Sequence, residues 1–151
     1  MKDHFAGSVA ALQLLDHLIS TNSGNPSQQF FVELRHEVDE DQKALQEMLH
    51  DLDANEGLMR NTAAFLGEKL SRVKLRLEDP SGSQFARLEK LEALALGIDG
   101  KRALWRALSA VASEVPPLRD ADFDRLNQRA EDQRQRVETL RIEAAREAFA
   151  I

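Results

Sequence analysis

Glu33 and His36 are the residues of this chain whose types and spacing come nearest to chemistry. At i,i+3 on a helix, a carboxylate and an imidazole share one face, a donor pair suited to a divalent iron or manganese ion. A dinuclear centre in a helical bundle needs two such Glu-x-x-His pairs and a Glu from each of two other helices, all pointing inward. No such pair stands on a second helix. The last helical stretch reads Glu131-Asp132-Gln133-Arg134, and no histidine follows His50. Arg134 would also place a positive charge beside the expected second ligand. The phase is wrong as well: at about 100° per residue His36 comes out nearly opposite the apolar seam of its own helix, and Glu33 on the flank. Glu33 and His36 are therefore expected on the solvated surface, and neither a metal nor another cofactor is assigned.

A second set of polar residues is expected inside. Asp41 takes one turn of the seam Phe31, Leu34, Val38, Leu45, Met48, Leu52, and Gln133 takes the polar position in Phe123, Leu126, Ala130, Val137, Leu140, Ala144, Ala148. Asp16 falls at the margin of an apolar face made by Phe5, Val9, Leu12, Leu15, Leu18 and Ile19. A buried carboxylate needs partners, since desolvating an unpaired charge costs several kcal/mol. Arg134 and Arg141, flanking the last seam, are the candidates. Asp16, Asp41 and Gln133 thus form a candidate core polar cluster. It reads as a structural network fixing the register of the bundle, with a residual polar pocket or a wetted gap as the alternatives.

Other candidates carry less. His50 points away from its seam, and His17 away from the face of the first helix. His4 lies within that face but in the first turn. Lys69, Arg72, Lys74 and Arg76 read as a solvated face near a helix end, where cations suit the dipole, more readily than as a phosphate site. Trp105, the one tryptophan, is at helical spacing with Ile98, Leu104 and Leu108 and reads as core. No nucleophile–base constellation and no glycine-rich phosphate loop is present; Gly97-x-x-Gly100 is too little.

The elements that must position these residues are all helical. The chain has 151 residues, 42% hydrophobic and 30% charged, enough for one domain over 1–151 with a proper core. With no cysteine, thiolate sites and disulfides are excluded. A net charge of −6 disfavours nucleic acid and anionic membrane as partners. Neither a membrane-length apolar run nor a signal-peptide layout is seen, so a cytoplasmic location is the expectation.

The longest element runs over 25–53. It opens on Asn25-Pro26 with Gln28 at the capping-box position and would be about 40 Å long, too long to bury its stripe without partners of similar length. An antiparallel helix over 3–20 precedes it across the turn Thr21 to Pro26. Periodicity then predicts a helix over 58–78, one over 84–113 opened by Ser81-x-x-Gln84 and closed by Pro116-Pro117, and one over 120–149. Leu91 to Ile98 is apolar nearly all round, as in a helix buried on several sides. Gly97 and Gly100 mark a kink, a split into two helices, or a close backbone approach.

Two short-loop helix pairs joined by a roughly 30-residue connection with its own helix give the layout of a bundle with one long crossover between helices two and three. The third helix carries the run Leu91-Glu92-Ala93-Leu94-Ala95-Leu96-Gly97-Ile98-Asp99-Gly100-Lys101-Arg102-Ala103-Leu104-Trp105-Arg106. With this layout and run the chain resembles the ferritin-like superfamily, and more narrowly its uncharacterised bacterial members. The resemblance implies an all-α, ferritin-like four-helix bundle. The missing ligand pair departs from the family's di-iron pattern. The expected function is a non-enzymatic structural or interaction module, as a homodimer or with a protein partner. A carboxylate-bound metal protein using Asp16, Glu37, Asp41 or Glu92 is one alternative, and a binder of a small ligand or partner helix is the other.

Overall fold

Residues 1–56 and 84–150 are described by a computed structural model, and among them every regular element is a helix. These are α1 (Lys2–Thr21), α2 (Ser27–Glu56), α3 (Gln84–Val111) and α4 (Phe123–Phe149), with a 3-10 turn at Pro116–Leu118. The helix expected over 58–78, with Lys69, Arg72, Lys74 and Arg76, and the Ser81 cap lie outside the described residues.

Local chemistry sets the helix ends. Asn25 Oδ1 accepts from the backbone N–H of Ser27 at 3.0 Å, and Gln28 reaches back to accept from the Gly24 N–H at 3.1 Å. These are the side chains of the expected capping box, with both bonds shifted by one residue, to the N–H groups of Ser27 and Gly24 in place of Gln28 and Asn25. Gly24 sits at φ +78°, the left-handed region that glycine enters without steric cost, and so lets the turn fold into the cap. At α4 the cap is Asp122, whose carboxylate accepts from the Arg125 N–H at 3.0 Å. The helix therefore begins slightly later than Asp120.

The seams of α2 and α4 bury as their spacing predicts at most positions, with Leu52, Leu140 and Ala148 only half-buried. Phe31, Leu34, Val38, Asp41, Leu45 and Met48 are buried on α2; Phe123, Leu126, Ala130, Gln133, Val137 and Ala144 are buried on α4. On α1 the face is rotated from expectation. Ala6, Leu14, Leu15 and Leu18 are buried, while Phe5, Val9 and Leu12 are only half-buried. His17, expected to point away, is half-buried, and burial followed by the charge of Lys90 on α3 lowers its pKa.

Helix α3 also departs from expectation. It buries one stripe, Leu91, Leu94, Ala95, Ile98, Leu104, Trp105 and Leu108, and leaves Leu96 72% exposed. Two residues past Leu94 is about 200° of rotation, which carries Leu96 to the far side. The helix is unbroken through Gly97 and Gly100, and a Cβ at either would meet no atom within 4 Å. Neither a split nor a close backbone approach explains these glycines.

Cross-helix contacts fix the directions. Asp16 meets Arg35 and Ser8 meets Gln42, so α1 and α2 are antiparallel. Arg87 meets Glu147, Arg134 meets Asp99, and Arg102 meets Glu131, so α3 and α4 are antiparallel. Glu37 meets Arg136 while Glu40 meets Arg129, so α2 and α4 are antiparallel too. It follows that α2 and α3 run parallel. The end of α2 and the start of α3 therefore lie at opposite ends of the bundle.

Candidate functional site

The polar groups inside the bundle gather at its middle, where α2, α3 and α4 face one another. Asp41 contributes from α2, Lys101 from α3, and Arg129 and Gln133 from α4. Asp41 is 2% and Gln133 0% exposed. Lys101 Nζ donates to Asp41 Oδ2 at 2.5 Å and also to Gln133 Oε1. Arg129 donates one guanidinium nitrogen to Asp41 Oδ1 and the other to Glu40 Oε2 at 2.6 Å. The Gln133 amide, its oxygen held by Lys101, donates to Glu37 Oε2 at 3.0 Å, and Arg136 closes the chain on Glu37 at 2.5 Å.

Three carboxylates, Glu37, Glu40 and Asp41, thus meet three cations, Lys101, Arg129 and Arg136. Both Asp41 oxygens are occupied, as a desolvated carboxylate requires. Burial pushes the Lys101 ammonium below the usual lysine range, opposed by its contact with Asp41. Lys101 is committed as a donor to a carboxylate and an amide oxygen.

Of the sequence candidates, Asp41 and Gln133 meet and Asp16 does not. Asp16 is exposed on the outer side of α1, where Arg35 Nε donates to it at 2.6 Å. The rotation of the α1 face onto Leu14, Leu15 and Leu18 moves it out of the core. Arg134 and Arg141 are not the partners of Asp41. Arg134 binds Asp99 and Glu138, and Arg141 binds Glu138 and Glu92, all on the seam between α3 and α4. Those two guanidiniums hold Glu138 at a pKa of about 2. Glu33 and His36 are both exposed, on the side their phase predicts.

Lys101 is a member of this cluster that is not among the sequence candidates. The intervals Leu94, Ile98, Lys101, Leu104 and Leu108 are four, three, three and four, so Lys101 occupies a seam position as plainly as Asp41 does.

Among the described residues, no group of three or more His, Asp or Glu side chains is placed to hold a metal ion. Of the carboxylates that a metal reading would gather, Glu37 and Asp41 share the Gln133 amide, whereas Asp16 and Glu92 are drawn off by Arg35 and Arg141. None of the described helices is long and apolar enough to cross a membrane. No protein-family model, curated protein or solved structure matches this chain.

Proposed function

We propose that this protein is a ferritin-like bundle without a working di-metal centre, acting as a non-enzymatic structural or interaction module. The observation that carries the reading is the Lys101–Asp41–Arg129 contact. The inner carboxylate that a metal ion would need is taken on both oxygens by cations of the protein itself. A divalent ion there would have to displace Lys101 and Arg129 and leave both charges desolvated. The parallel run of α2 and α3 supports the ferritin-like part, because that fold uses one long crossover at this point. The exposed positions of Glu33 and His36 support the loss of the centre.

The test is total metal, by mass spectrometry, in purified protein exposed to iron and manganese and then desalted. The reading expects far less than one ion per chain. Stoichiometric metal that is lost in Asp41→Asn would replace it with a carboxylate-bound metal protein of oxidase or storage type.

A further inference from the structure

Helix α3 turns one unpartnered face away from the bundle. Leu96 stands 72% exposed at its middle, in line with Ala93, Gly100, Ala103 and Ala107. The steps between these residues are three, four, three and four, the spacing by which two helices interlock along a seam. Gly100 is half-buried and the others are exposed. Nothing within the chain accounts for glycine here. A Cβ at Gly100 would meet no atom within 4 Å, and glycine weakens a helix relative to alanine.

The second observation is the charge along that face. Its first half is acidic. Glu89 and Glu92 are exposed, Glu89 has no ionic partner among the described residues, and Glu92 has one 3.4 Å contact, from Arg141. Its second half carries Arg106, also exposed and also without an ionic partner among the described residues. We propose that this face is a dimer interface, on which α3 of a second copy of the chain lies antiparallel.

A two-fold axis near residue 98 satisfies size and charge together. Leu96 and Gly100 stand equally far from it, so each Leu96 seats on Gly100 of the other copy, and Ala93 faces Ala103. Small side chains at these points let the two helices come close. The same operation sets Arg106 of one copy beside Glu92 of the other, with Glu89 one turn away, and it does so twice. Asp99, the acid nearest the axis, is already balanced by Arg102 and Arg134. Large against small and acid against base about a single point is the pattern of a surface that fits itself, which selects a second copy over an unrelated helix. From Ala93 to Ala107 the seam is about 21 Å long. A contact of that length lies at the small end of specific interfaces, so the dimer is weak and concentration-dependent. The inference adds a partner to the module reading without resting on it: metal inside the bundle would leave this outer face as it is.

Sedimentation of the full chain at low salt is expected to show monomer and dimer in exchange, with a dissociation constant between about 1 μM and 1 mM. Leu96→Glu should stay monomeric throughout that range, with the thermal transition of the dilute protein unchanged. Arg106→Glu should weaken the dimer about tenfold through its two rim pairs. Adding Glu92→Arg should restore it, because positions 92 and 106 meet only between antiparallel copies. A wild-type chain that stays monomeric up to about 1 mM, assemblies that grow past two chains, or a dimer indifferent to Leu96→Glu would overturn the proposal. So would a double variant that fails to recover. A lowered thermal transition in dilute Leu96→Glu would overturn it as well, since the face would then be covered within its own chain.

Discussion

Lys101 Nζ meets Asp41 Oδ2 at 2.5 Å between α2 and α3, helices that run in the same direction. The side chains are 16% and 3% exposed, so the pair is largely shut off from water. Because the same carboxylate also receives Arg129, one aspartate ties α2 to both of the other helices at this level.

Asp41→Ala should destabilise the protein by about 3–5 kcal/mol, the usual cost of removing one partner from a buried ionic pair. Urea denaturation followed by circular dichroism measures it. In a double-mutant cycle with Lys101→Met, the coupling energy should reach about 0.5–3 kcal/mol. A midpoint unchanged in Asp41→Ala would mean that the network fixes nothing.

Asp16 supplies the contrast. Its pair with Arg35 has side chains 55% and 38% exposed, in reach of water and salt. Asp16→Ala should cost no more than about 1 kcal/mol, and what it costs should shrink in high salt. A loss as large as that of Asp41→Ala would return Asp16 to the core.

Glu138 gives the acid limb of stability. Its pKa in the folded protein is about 2, against 4.5 unperturbed, through hydrogen bonds from Arg141 and then Arg134. A depressed carboxylate contributes stability that is complete above the unfolded value and is lost as pH falls from about 4.5 to about 2. Glu138→Gln should therefore flatten the stability–pH curve in that window. Curves for the two proteins that stay parallel between pH 5 and 2 would show that the Arg134–Glu138–Arg141 contacts do not persist in solution.

Gly97→Ala should stabilise α3 by roughly 0.5–1 kcal/mol, because alanine loses less chain entropy than glycine in a helix and its Cβ meets nothing here. Thermal denaturation of this variant and of Gly100→Ala would check it. A lowered transition would reveal a neighbour at that face.

Much of this arrangement is legible in the sequence because helical periodicity needs only local information. The seams of α2 and α4, with Asp41 and Gln133 inside them, follow from counting. The surface positions of Glu33 and His36 follow from the same count. What fails does so where neighbours decide. The α1 face mixes Phe5, Val9 and Leu12 with Leu14, Leu15 and Leu18, and which half is buried depends on how α1 leans on α2 and α3. Leu96 belongs to an apolar run but turns outward because α3 buries only one stripe. Arg134 and Arg141 stood equally near the α4 seam, yet the choice of Arg129 for Asp41 depends on the stagger of α2 against α4. No pattern along one helix encodes that stagger. Lys101 was readable, since its place in the α3 seam is set by spacing alone.

The parallel course of α2 and α3 also bears on how the chain folds. Contacts within the α1–α2 and α3–α4 pairs zip outward from each turn, from 19 positions apart at Asp16–Arg35 to 60 at Arg87–Glu147, whereas Arg129 and Asp41 are 88 positions apart. Loop-closure entropy favours forming the two hairpins before they dock. The ionic cluster then forms only as the hairpins dock, and the expectation is that losing it speeds unfolding more than it slows refolding. For Asp41→Asn that places the change on the unfolding arm of the chevron, so the cluster acts as a latch on the assembled bundle and leaves the refolding rate nearly untouched.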